Sequence, residues 1–165
     1  MKLKICGLSK LVEVETCINN NVNYCGFILN YPKSHRFISQ DKARDLTNID
    51  KMNSKFVAVL VKPTEKELEK FSKLNFDYFQ LYGNYTNDDL KKIKKNFNKK
   101  IISSVQVKNK NDINKFKEIE DESDIILWDS AGYEESLNWD YNWIKSISIK
   151  VEKMVAGNIS FNKID

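Results

Sequence analysis

Short apolar runs rich in β-branched and aromatic residues recur along the chain, at Leu3 to Cys6, Tyr24 to Leu29, Phe56 to Val61, Tyr78 to Leu81, Ile101 to Gln106, Ile125 to Trp128 and Val151 to Val155. Runs of this length and composition read as strands. The segments between them carry helical spacing instead. Leu11, Val14, Ile18 and Val22 form a stripe behind Ser9, a candidate cap. Ser39-Gln40-Asp41-Lys42 opens a second helical segment reaching about Lys51, and Thr64-Glu65-Lys66-Glu67 has the form of a capping box. Asp88 to Phe97, with Leu90, Ile93 and Phe97 on one face, and Asn111 to Ile119 supply two more, and Tyr141 to Ser146 a short one.

Strands separated by helices of this length pair in parallel through right-handed crossovers, because a tight hairpin cannot join parallel neighbours. The strands begin near residues 2, 24, 56, 78, 101, 125 and 151. Extending that β/α repeat would place an eighth at roughly residue 175. The expected fold class is therefore α/β, a (β/α)8 TIM barrel that is C-terminally incomplete: seven parallel strands present and the eighth β/α unit missing, with residues 1–165 as a single barrel domain. A complete seven-stranded open α/β sheet is the alternative.

Composition narrows the function classes. The chain has 165 residues, 41% hydrophobic and 30% charged, enough for one core. No apolar run reaches the roughly 18 residues of a spanning helix, and the N-terminus is a strand rather than a signal segment, so a cytoplasmic protein without membrane partners is expected. The net charge of +4 arises from 27 basic and 23 acidic residues, with the lysines spread throughout. That distribution favours a solvated surface over a nucleic-acid stripe. Three cysteines, Cys6, Cys17 and Cys25, and one histidine indicate neither a disulfide framework nor a metal site.

Chemistry in parallel α/β sheets gathers at the carboxyl ends of the strands. Those ends carry Cys6-Gly7, the loop Pro32-Lys33-Ser34-His35-Arg36, Tyr82-Gly83-Asn84, Asp129-Ser130-Ala131-Gly132 and Ala156-Gly157-Asn158. Arg36 is one of only two arginines, with Arg44, and an arginine in a loop suits bidentate recognition of a carboxylate or phosphate. An aspartate ending an apolar strand is desolvated, which raises its pKa and suits it to give a proton. A thiol facing it across a barrel mouth would complete a base and acid pair. Taken alone, Cys6 also fits the description of a small buried hydrophobe, as do Cys17 and Cys25. The three tryptophans read as packing, with Trp128 bordering the mouth, and His35 as a surface loop residue.

Six ordered pieces, Lys4-Ile5-Cys6-Gly7, Pro32 to Ser39, Phe56 to Val61, Gln80-Leu81-Tyr82-Gly83, Ile126 to Ser130 and Ala156-Gly157, together resemble the phosphoribosylanthranilate isomerases of tryptophan biosynthesis from end to end. The resemblance implies an Amadori rearrangement of N-(5-phosphoribosyl)anthranilate to 1-(2-carboxyphenylamino)-1-deoxyribulose 5-phosphate. It implies Cys6 as general base and Asp129 as general acid. Arg36 would face the anthranilate carboxylate, and Tyr82, Gly7, Gly157 and Asn158 would contact the substrate. No cofactor is implied, because the iminium nitrogen is itself the electron sink; the partner is a small phosphosugar, and the complete barrel is a monomer. The chain departs from the family pattern at Tyr82, where a histidine is common, at Gly132 to Ser136, which replace a glycine-rich loop, and at Asn158, which replaces a second glycine. Another phosphosugar barrel enzyme, or a non-catalytic barrel fragment or binding module, are the competing readings.

Overall fold

A computed structural model describes residues 1–130 and 138–160. Its centre is a sheet of seven parallel strands in sequential order: β1 (Lys4–Cys6), β2 (Tyr24–Ile28), β3 (Lys55–Val61), β4 (Tyr78–Tyr82), β5 (Lys100–Val107), β6 (Ile125–Ser130) and β7 (Glu152–Val155). Every pairing is parallel, as the alternating pattern predicts.

The sheet curls, and both of its faces are covered. Inward side chains form one cluster, including Ile28, Val57, Val59, Tyr82, Ile102 and Leu127. Outward side chains such as Phe27, Phe56, Leu60, Phe79 and Trp128 form a second cluster with the helices. Burial on both sides removes polar alternation from the strands, which is why they read as near-continuous apolar runs. The curl brings the two ends of the sheet together: the Lys2 ammonium lies 2.6 Å from the Glu152 carboxylate of β7, with the Tyr24 hydroxyl 3.4 Å from the same group. β1 and β7 each pair on one side only, and Leu3 and Ile5 beside that seam are exposed.

The helices start where their side chains can satisfy free N–H groups. In α2 (Gln40–Thr47) the Ser39 hydroxyl accepts from Lys42 N–H, and in α3 (Glu65–Ser72) Thr64 and Glu67 form the expected reciprocal box. In α4 (Asn87–Phe97) Thr86 and Asp89 do the same, one residue before the expected start. The first helix corrects the expectation. In α1 (Leu11–Asn19) Ser9 is not the cap; the Glu13 carboxylate instead reaches back to the N–H groups of Ser9 and Lys10. The buried face of α1 is Val14, Cys17 and Ile18, while Leu11 is exposed and Val22 is buried beyond the helix end. α2 also ends earlier than Lys51. The two later segments are tighter than α-helices: Lys110–Glu118 and Tyr141–Ile144 are both 3₁₀.

Trp128 does not border the mouth. It lies on the outer side of β6, fully buried, with its indole N–H donating to the Ile113 carbonyl at 3.1 Å and its ring edge-on to Phe116. Cys17 and Cys25 are buried, and burial pushes the Cys25 thiol up to about 12, so both are packing residues. No described helix is long and apolar enough to cross a membrane.

Candidate active site

At the carboxyl ends of the strands the curled sheet opens into a cavity of about 370 Å³. Cys6, Arg36, Tyr82, Asp129, Gly157 and Asn158 line it. Six of the residues singled out from sequence thus meet at one mouth, although as many as 152 positions separate them along the chain. Gly7 is the exception. It lies under the Arg36 side chain rather than on the cavity wall.

The arginine reaches the mouth because the loop after β2 folds back on itself. Ser34 N–H donates to the Tyr31 carbonyl, Phe37 N–H to the Ser34 carbonyl, and Ile38 N–H to the Ile28 carbonyl, which returns the chain to the end of β2. Arg36 then lies across Gly7 and donates from Nη1 to the Cys6 carbonyl at 2.8 Å. Gly7 has φ +85°, and a Cβ there would sit 2.5 Å from Arg36 Cδ. Glycine is required on both counts.

Asp129, the penultimate residue of β6, accepts with its carboxylate from the Tyr82 hydroxyl at 2.6 Å. That hydroxyl accepts in turn from Gln80 Nε2 at 2.9 Å. Gln80 and Tyr82 stand two residues apart on β4 and so share its inner face. Burial pushes the Asp129 carboxyl above its ordinary range; hydrogen bonds from Tyr82 and Ser130 and the charge of Lys4 oppose that shift without reversing it. Burial, followed by the negative charges of Asp129 and Cys6, holds the Tyr82 phenol well above its ordinary value. The Tyr82 hydroxyl thus stays protonated as the donor to the Asp129 carboxylate.

Beside Asp129, the loop after the neighbouring strand β7 is held by its carbonyls. Trp139 Nε1 donates to the Ala156 carbonyl at 3.1 Å and the Tyr141 hydroxyl to the Gly157 carbonyl. Gly157 (φ +97°) packs so closely on Ser130 that a Cβ would lie 2.5 Å from its hydroxyl. Asn158, also at positive φ, donates to the Asn138 side chain at 2.7 Å. The replaced glycine-rich segment, Gly132 to Ser136, lies outside the described residues.

Sequence reading assigned no role to Lys4, Tyr31, Ser34, Gln80, Gln106 and Ser130, polar residues that also line the cavity. A signal for the two glutamines was present. Each is an amide on a strand of a parallel sheet covered on both faces, a place where an unpaired polar group is costly. The Gln80 carbonyl oxygen is buried and has no partner among the described residues. His35 and Lys33 are exposed in the loop, as expected for His35. No group of three potential metal ligands is found among the described residues.

Comparison with known proteins agrees with this geometry. The family model described as N-(5'phosphoribosyl)anthranilate (PRA) isomerase matches residues 3–165. An N-(5'-phosphoribosyl)anthranilate isomerase from Staphylococcus haemolyticus is 32% identical over 173 aligned positions, covering 99% of this chain and 80% of the relative. Among solved structures, the phosphoribosyl anthranilate isomerase of Thermotoga maritima superposes with a TM-score of 0.80 at 25% identity, covering 96% of this chain and 78% of that one. A phosphoribosyl anthranilate isomerase in complex with reduced 1-(o-carboxyphenylamino)-1-deoxyribulose 5-phosphate shares the fold, with a TM-score of 0.68 at 22% identity over 99% of this chain and 91% of that one.

Proposed function

The chain belongs to the PRA isomerase family, and we propose that its cavity carries out the Amadori rearrangement with Cys6 as general base and Asp129 as general acid. The reaction converts N-(5-phosphoribosyl)anthranilate to 1-(2-carboxyphenylamino)-1-deoxyribulose 5-phosphate, a step of tryptophan biosynthesis. The observation that carries the assignment is that a thiol ending β1 and a desolvated carboxyl near the end of β6 open into the same cavity.

The steps follow from where protons are held. Asp129, whose burial favours its protonated form, gives its proton to the ribose ring oxygen as the C1–O bond breaks, and the anthranilate nitrogen lone pair forms the C1=N iminium. The Tyr82 hydroxyl, 2.6 Å away, stabilises the carboxylate that this leaves. Cys6, as thiolate, then takes the proton from C2, and the C2–H electron pair flows toward the iminium nitrogen to give an enolamine. Tautomerisation yields the C2 ketone. The iminium accepts the electron pair, so no organic cofactor or metal is required by the chemistry.

Arg36, held over Gly7, presents its remaining guanidinium N–H groups to the anthranilate carboxylate, a planar match between fork and acid. The loop Ala156-Gly157-Asn158 contributes to the phosphate end, where two successive positive φ values supported by Ser130 fix the backbone. The enzyme acts as a cytoplasmic monomer on a small phosphosugar.

A coupled fluorescence assay following the loss of phosphoribosylanthranilate tests the assignment. Cys6→Ala and Asp129→Asn should each reduce kcat by roughly 10²- to 10⁴-fold, the range of positioned acid or base groups. Unchanged turnover in either variant would remove that residue from its role.

A further inference from the structure

Lys4 precedes the thiol by two positions on β1, so both side chains lie on the inner face of the sheet, and both line the cavity. The inner face of the neighbouring strand at this level is bare, because residue 26 is glycine and pairs in register with Cys6. Both side chains fill that bare patch. A Cβ on Gly26 would meet Lys4 Nζ at 2.9 Å and Cys6 Sγ at 3.1 Å, so ammonium and sulfur lie within about 6 Å of one another. The same charge reaches Asp129. No carboxylate or carbonyl among the described residues holds Lys4: it takes part in none of the ion pairs or side-chain hydrogen bonds that bind the other lysines of the fold, such as Lys2, Lys51, Lys94 and Lys99. A half-buried ammonium left without an acidic partner is an unusual arrangement unless the charge it balances belongs to the site.

We propose that Lys4 is a positioning residue for the acid and base pair, its fixed ammonium balancing the single negative charge that passes from Cys6 to Asp129 during turnover. The inference rests on the assignment of those two residues as base and acid. Before reaction the pair consists of a protonated Asp129 and a Cys6 thiolate. After Asp129 has given its proton to the ring oxygen and Cys6 has taken the proton from C2, it consists of a carboxylate and a thiol. The pair carries one negative charge in both states, and between them, when both groups are ionised, the substrate iminium carries the compensating positive charge; Lys4, beside Arg36 in the same cavity, faces the pair's charge at both ends of the transfer. A lysine paired with a protein carboxylate could not do this, because its charge would already be balanced. Gly26 is the second part of the device: any larger residue there would separate the ammonium from the sulfur.

The test is the reactivity of Cys6 itself, read separately from turnover. Iodoacetamide modification of the Cys6 peptide, followed by mass spectrometry, is compared in the unmodified protein, Lys4→Met and Lys4→Arg. At pH 7 the Lys4→Met rate should fall roughly tenfold, the effect of losing one opposite charge within about 6 Å. Lys4→Arg should restore most of it. At pH 10, where a thiol ionises unaided, the three rates should converge, which a mere change in access would not produce. In the turnover assay kcat should fall with KM nearly unchanged. If Lys4→Met does not fold, Lys4→Gln serves the same comparison. Equal alkylation at pH 7, or a slower rate in Lys4→Met that persists at pH 10, overturns the proposal, as does a rise in KM with kcat intact, which would make Lys4 a substrate contact. Full turnover in Cys6→Ala would instead overturn the assignment of the base, leaving the alkylation result to stand by itself.

Discussion

Replacing Gly7 by alanine tests how the arginine is placed, because two separate penalties meet at one atom. At φ +85° a side chain is strained by roughly 1–2 kcal/mol, the usual cost of a left-handed conformation for an L-residue. The new Cβ would also stand 2.5 Å from Arg36 Cδ, where carbon atoms normally rest about 3.5–4.0 Å apart, so the arginine stem has to move by roughly 1 Å. That displacement lengthens the 2.8 Å bond from Nη1 to the Cys6 carbonyl beyond hydrogen-bonding range. The arginine is exposed, so losing the bond adds only about 0.5–1 kcal/mol, for a sum near 2 kcal/mol. For a chain of this size that corresponds to a fall in Tm of about 4–8 °C by calorimetry. The misplaced guanidinium should raise KM about tenfold or more while kcat falls less, since a charge-assisted bond to the substrate carboxylate contributes roughly 1.5–3 kcal/mol. Placing the same change in an Arg36→Ala background removes the two tightest contacts, with Cδ and Nε, and leaves the backbone strain and a 3.0 Å approach to the residue 36 Cβ, so the second Tm loss should be smaller than the first. If Gly7→Ala leaves both Tm and KM unchanged, or if its effect is the same with and without Arg36, the packing argument is wrong.

Tyr82→Phe removes a donor that holds the Asp129 carboxyl down, so that carboxyl should titrate higher. Because catalysis needs it protonated, the fall of kcat on the alkaline side should move to higher pH, while the plateau drops for want of the 2.6 Å bond; an unmoved or lowered limb in a pH-rate profile would contradict this. Asp129→Asn should stabilise the fold at neutral pH. The folded-state pKa lies above the ordinary value of 3.8, so folding favours the protonated form and penalises the charged one. The advantage measured by urea unfolding should therefore shrink as pH falls through the folded-state value and vanish below 3.8, and a variant no more stable at pH 7 would count against burial as the dominant effect. Lys2→Met removes the pair across the seam between β1 and β7. That pair is half exposed, so the loss measured by urea unfolding should be no more than that of an ordinary surface ion pair, and a much larger loss would show that it does more to hold the curl.

Strand positions and helix starts were legible because their causes are local. A run such as Phe56 to Val61 has no helical stripe, and Thr64 with Glu67, or Ser39 with the backbone of Lys42, satisfies N–H groups within one turn. Cys6, Arg36 and Asp129 were visible for a similar reason: each is a chemically distinct residue at a strand end or in a loop of a parallel repeat, where ligands collect. The cap of the first helix escaped because it is not a residue type at a cap position but the Glu13 side chain returning from within the helix.

What only tertiary structure decided is which side of each strand faces inward. When both faces of a parallel sheet are buried, the alternation that would distinguish them disappears from the sequence. Trp128 and Asp129 are adjacent in the chain, yet the curl sends one to the helices and the other into the cavity. The same curl carries Asp129 to Tyr82, 47 residues away, and lays Arg36 over Gly7. It also leaves Lys4 beside the thiol across the bare surface of Gly26. The sequence by itself determined the elements and the groups able to move a proton. Their distances, their burial and hence the charge each can hold depend on strand register and curvature, which arise only when all seven strands pair.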